Sequence, residues 1–144
     1  MRAGFTKSEM KESIYILCVE VKDGHKIAVG GLGVLYFDSG TYLYIGSGGR
    51  NIVARVERHI RDEKKIKWHI DYLLSDSHVD ISRVYVKRGS RDDECKTARS
   101  LATGFKGIPG FGSSDCKCPS HLFFVEGDFS AVIGQLGFHL YWDL

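Results

Sequence analysis

With 144 residues the chain has the length of one domain and enough material to bury a core. A composition of 43% hydrophobic and 12% aromatic residues, with 2 prolines and no low-complexity tract, excludes a disordered or fibrous protein. The net charge of +2 is too small to indicate a partner, so only the placement of charge along the chain can do so.

Residues 1–12 are polar, lack the apolar run of a signal peptide and read as a loosely packed N-terminus. No stretch approaches the roughly 18 apolar residues that cross a bilayer, so a soluble, cytoplasmic protein without disulfides is expected. Residues 13–22 (SIYILCVEVK) alternate and are rich in β-branched and aromatic side chains, which predicts a strand. Asp23-Gly24 signals a hairpin turn, with residues 25–29 as its returning strand. After the break at residues 30–33, strands are expected at 34–37 and 41–46 around the turn Asp38-Ser39-Gly40. The first 46 residues thus predict an antiparallel sheet with short connections.

The pattern then changes. Residues 47–51 (SGGRN) form a loop, and Asn51 is a suitable N-cap for a helix running to about Asp62. A second helix is expected over residues 66–74 (IKWHIDYLL), with Trp68 and Tyr72 on one face. Residues 79–86 read as a strand. Asp92-Asp93-Glu94 places acids in the first turn of a third helix, which ends near Gly104. Residues 106–120 are glycine-rich and loop-like, 121–125 a strand, and the last 18 residues carry no clear pattern. With no internal repeat and no linker, one α+β domain spanning 1–144 is the simplest reading.

Three features gain meaning together. Tyr44-Ile45-Gly46 ends a strand and leads through a glycine loop into a helix. Arg55 and His59, four apart on that helix, share one face. Glu94 falls in the first turn of a later helix. In this order they resemble the GIY-YIG nuclease superfamily, named for two short strand motifs followed by an arginine-bearing helix and a later metal-binding glutamate. Ser13-Ile14-Tyr15 resembles the first motif, with serine for glycine, and Tyr44-Ile45-Gly46 matches the second. The strings YIGSGGRN, KWHIDYLL and GFGSSDCKCPSHLF resemble the small, free-standing Uri-type branch. The resemblance covers residues 13–125 and implies a small mixed, mainly antiparallel sheet flanked by about three helices. It also leaves room for an extra β-hairpin between the two motifs.

The implied function is a metal-dependent endonuclease that hydrolyses phosphodiester bonds, with DNA expected before RNA. Under the resemblance Glu94 holds a single Mg²⁺ or Mn²⁺, a hard ion suited to carboxylate and water. Arg55 neutralises phosphoryl oxygens with its fixed donor fork. Tyr15, Tyr44 and His59 share the activation of water, His59 because an imidazole titrates near neutrality. Residues 50–67 carry seven positive against three negative side chains, a strip that suits a phosphate backbone or a solvated helix face. Ser47, Arg50, Arg58, Lys65, Lys67 and His69 are the expected nucleic-acid contacts. Ser47 stands where repair-type members often carry a lysine, and a targeting protein partner is a further expectation for so small a domain. Nothing in the sequence fixes an oligomeric state.

Two rival readings belong to other classes. The chain is either an active nuclease or a nucleic-acid-binding module without catalysis. Alternatively, Cys116, Cys118 and His121 offer zinc ligands, with Cys95 or His69 to complete a tetrahedral set in a zinc-stabilised interaction domain. Asp115, Ser120 and His121 otherwise line the groove. His69 and Asp71 either extend the site or belong to a core helix.

Overall fold

The computed structural model describes residues 12–49, 51–61 and 64–143. In chain order these form β1 (Ser13–Val21), β2 (His25–Ala28), a 3-10 turn (Gly30–Leu32), β3 (Val34–Phe37) and β4 (Gly40–Gly49). Next come α1 (Ile52–Ile60), α2 (His69–Leu74), β5 (Val79–Arg88) and α3 (Arg91–Ala102). The chain finishes with β6 (Lys106–Gly107), β7 (Leu122–Val125), α4 (Ser130–Gln135) and β8 (His139–Asp143). Six strands form one sheet in the order β6-β7-β4-β1-β5-β8, and β2 pairs with β3 apart from it. Every pairing among the described residues is antiparallel. The expected α+β fold, with its mainly antiparallel sheet and extra hairpin, is present.

β1 is the central strand, and helices cover both its faces. Tyr15, Leu17, Val19 and Val21 join one core cluster with Ile52 and Val56 of α1 and Ile70 and Leu73 of α2. Ile14, Ile16 and Cys18 join a second with Ala98 and Leu101 of α3 and Ile133 of α4. Burial on both faces explains why this strand is apolar at nearly every position rather than at alternate ones.

Centrality also corrects the expected connection. With β4 on one edge of β1 and β5 on the other, no edge is left for residues 25–29. β2 therefore turns away and pairs with β3, Ile27 opposite Leu35. Likewise α2 starts at His69, not at Ile66, because the Asp71 carboxylate accepts the N–H groups of both Lys67 and Trp68 at 2.9 Å and fixes the helix start there. Trp68 is thus the N-cap rather than a helix-face partner of Tyr72. Asn51 occupies the N-cap position of α1 without a side-chain capping bond. α3 ends one residue before the expected glycine, at a Thr103 cap. The unpatterned C-terminus supplies a fourth helix and the edge strand β8.

Candidate functional site

The two tyrosine motifs meet by strand register. Tyr15 of β1 lies opposite Gly46 of β4, so the motifs are neighbours in the sheet. A Cβ on Gly46 would stand 2.3 Å from the Tyr15 ring carbon Cζ and hydroxyl, so the second motif requires glycine to admit the first motif's ring. The Tyr15 and Tyr44 ring centres are 6.5 Å apart.

An open cleft of about 360 Å³ lies over this sheet end. Tyr15, Tyr44, Arg55, Trp68 and Glu94 line it, with the backbone of Gly46, Ser47, Gly48 and Gly49. Arg91 and Asp115 stand at its rim, paired at 2.8 Å and largely exposed. The expected loop at residues 47–51 is instead strand as far as Gly49, because Ile14 and Ser13 pair with Ser47 and Gly49. Arg55 donates to the Ser47 carbonyl at 2.9 Å, which ties the guanidinium to the glycine-rich end of β4. Four of the five expected catalytic residues therefore converge, although β1, β4, α1 and α3 carry them.

The fifth, His59, does not line the cleft. It is 2% exposed behind Tyr15, with Nε2 at 2.7 Å from the Tyr15 hydroxyl, and its Nδ1 has no hydrogen-bond partner among the described residues. The expectation of a histidine near neutrality is also corrected. Burial, aided by Lys64, Arg58 and Arg55 against the opposing charge of Asp71, lowers its pKa to about 3, so the ring is neutral. Burial likewise raises both tyrosine hydroxyls, Tyr15 against the counter-pull of Arg55, and disfavours a resting phenolate.

The expected nucleic-acid contacts divide. Arg58 pairs with the fully buried Asp71 through two 2.9 Å bonds and also donates to the Lys65 carbonyl. Its guanidinium is part of the framework rather than a free phosphate contact. His69 accepts the Gly112 N–H at 2.9 Å and lines a smaller neighbouring cleft with Lys67. Ser47 is at the main cleft, Lys65 and Lys67 are exposed, and Arg50 lies outside the described residues. Ser120 is buried and bonds within the chain to Leu122, whereas Asp115 does reach the rim.

Trp68 is the residue that sequence reasoning missed. The charged groups of Arg55, Arg58 and Lys67 lie 4.6, 4.4 and 4.9 Å from its ring centre, and it lines both clefts. A tryptophan followed by a helix start looks like core. Only the docking of α1 beside it reveals the ring of cations.

A second group lies behind the cleft. Cys95, Cys116, Cys118 and His121 each bring one ligand atom to within 4.8 Å of the others, an arrangement that could hold a metal ion. His121 Nε2 is 3.5 Å from Cys116 Sγ, and its Nδ1 is 3.0 Å from Glu94 Oε2. Burial works against a charged His121, but Glu94 outweighs it and raises the pKa. Of the two candidates for a fourth ligand, Cys95 is present and His69 is not.

Family comparison agrees with this extent of the fold: residues 14–136 match the family described as "Domain of unknown function DUF123". The chain belongs to the DUF123 family. No curated protein and no solved structure matches it. The match to DUF123 begins at Ile14, beside Tyr15, and includes every residue of the cleft and of the cysteine group. Among the described residues of this DUF123 chain, no helix is long and apolar enough to cross a membrane.

Proposed function

We propose that this DUF123 chain is a metal-dependent endonuclease that hydrolyses phosphodiester bonds in nucleic acid, DNA before RNA. The observation that carries the reading is the cleft itself. Tyr15, Tyr44, Arg55 and Glu94, from four separate elements, line a single opening in the order the GIY-YIG resemblance implies. Electrostatic positioning of this kind is most of what phosphodiester hydrolysis asks of a protein.

Each group has a task its surroundings permit. Arg55, held by the Ser47 carbonyl, presents its remaining donors to a phosphate. Tyr15 meets the attacking water. When its hydroxyl donates to His59 Nε2, its oxygen lone pairs are left to accept from that water. His59 thereby positions Tyr15 by accepting its hydrogen bond, rather than acting on the substrate. Tyr44 offers a second hydroxyl beside it. Trp68 supplies a stacking surface for a base next to the charges of Arg55 and Lys67 for the backbone.

The donor set fits Mg²⁺ or Mn²⁺. Glu94 opens onto a cleft with room for water, and Mg²⁺ is commonly held by one or two carboxylates with waters and substrate phosphates completing its shell. Bound there, the ion would supply charge neutralisation at the phosphate and a more acidic water. The Glu94 carboxylate accepts from His121, which fixes its direction toward the cleft.

Labelled single- and double-stranded DNA and RNA, incubated with Mg²⁺ or Mn²⁺, test the proposal. Cleavage is expected from the native chain and should fall by about 10²–10³ in Arg55→Ala and Glu94→Gln. Binding without cutting, or equal cutting by folded variants, would instead identify a binding module.

A further inference from the structure

We infer that Cys95, Cys116, Cys118 and His121 form a tetrahedral zinc site that staples α3 to the loop before β7. The geometry is that of a site drawn closed. Four donors from α3 and the loop over residues 108–121 lie within 4.8 Å of one another. A zinc ion bound at about 2.3 Å to sulfur and about 2.05 Å to nitrogen would hold such a pair roughly 3.6 Å apart. Cys116 Sγ and His121 Nε2 are 3.5 Å apart. Three thiols and an imidazole are soft and borderline donors, the set that selects zinc over the hard ions expected at Glu94.

The surroundings complete the site. His121 Nδ1 faces the Glu94 carboxylate at 3.0 Å and the Ile45 carbonyl at 3.3 Å, so its proton belongs there. That leaves the Nε2 lone pair directed at the thiols, the orientation in which a carboxylate fixes a metal-bound histidine. His121 and Cys118 are buried, and all four cysteines of the chain are free thiols. The loop has reason to need a staple, since turns and positive-φ glycines at Gly110 and Gly112 replace regular structure. Binding exchanges three thiol protons for the ion.

The contrast with the other His and Asp group is informative. His25, Asp76 and His78 also approach one another, but they are oxygen and nitrogen donors at the surface already engaged in ion pairs. The cysteine group also touches the cleft through Glu94, so zinc would hold that carboxylate in place. This last link rests on the nuclease reading, whereas the binding of zinc does not.

Elemental analysis of the chain purified from zinc-supplemented cells tests the site without reference to cleavage. About one zinc per chain is expected, lost in Cys95→Ser and Cys116→Ser and kept in Cys18→Ser. Removal by a chelator should lower the melting temperature of the native chain, with recovery on one equivalent of Zn²⁺ but not of Mg²⁺. Cobalt in place of zinc should give a thiolate charge-transfer band. Glu94→Gln should weaken zinc by about 10- to 100-fold. A folded native chain that carries no zinc, gives no cobalt band and does not change its melting temperature on chelation overturns the site. Cys95→Ser and Cys116→Ser variants that retain full zinc do the same. Zinc present in a chain that cuts nothing upholds the site and overturns only the nuclease reading.

Discussion

The two faces of the central sheet solve the same burial problem in different ways. On the face of Tyr15 and Leu17, α1 and α2 bring polar groups that complete one another: Arg58 with Asp71, and Tyr15 with His59. On the face of Ile14 and Ile16, α3 and α4 pack an apolar layer that ends in thiols and an imidazole facing each other. The first face is closed by ion pairs and hydrogen bonds made within the chain. The second is arranged for a partner from outside it. Glu94 joins them, since it stands on a helix of the second face and lines a cleft built mostly by the first.

Breaking the first face should have the largest effect on stability. Asp71 is 0% exposed and accepts two bonds from Arg58 and the N–H groups of Lys67 and Trp68. Asp71→Ala would leave a half-buried guanidinium and two backbone donors without their acceptor. A loss of about 3–5 kcal/mol is expected, read by urea unfolding. If the variant unfolds within 1 kcal/mol or so of the native chain, the first face does not depend on its internal ion pair.

These partnerships were unevenly legible in the sequence. The strands holding Tyr15 and Tyr44 carry runs of β-branched and aromatic residues, and the order of Tyr, Tyr-Ile-Gly, Arg and Glu was sufficient to place four residues in one cleft. Arg58 and Arg55 look alike in the sequence, three apart on one helix. Their fates diverge because Asp71, thirteen residues beyond Arg58, turns back to meet it. The burial of His59 is hidden for the same reason, since it follows from α1 docking on β4 and not from local composition. The sequence offered Cys95 and His69 alike as a fourth member of the thiol group, and the choice of Cys95 is made only where α3 lies on the sheet. β2 was misplaced because pairing depends on which edge of β1 is free, and that is decided by β5, far along the chain.

Gly46→Ala tests how closely the cleft depends on that first face. The new Cβ would stand 2.3 Å from Tyr15, whose ring end is pinned by His59 and cannot swing aside cheaply. Overpacking of this kind costs about 1–3 kcal/mol, which thermal melts would register. On the proposed function, a displaced Tyr15 should also lower cleavage on the order of 10²-fold, more than the stability loss accounts for at a temperature where the variant is folded. Normal cutting with a normal melt would remove Tyr15 from the water-activating role.

A dependence on pH sharpens the comparison further. His59, depressed to about 3 from an ordinary 6.5, binds fewer protons folded than unfolded anywhere between those values. Stability must then rise with pH across this window, and fall as pH drops from 6.5, by up to about 1.4 kcal/mol per unit. Asp71, held low by Arg58 despite its burial, adds acid sensitivity of the same sign nearer pH 4. His59→Gln, which can still meet the Tyr15 hydroxyl, removes the histidine contribution alone. Its unfolding free energy between pH 6.5 and 4.5 should therefore slope less steeply than that of the native chain, even if its value at neutral pH is lower. Parallel slopes would mean that the ring is charged in the folded protein. A charged ring has no lone pair to accept the Tyr15 hydrogen bond, so the positioning of Tyr15 assigned to His59 would go with it.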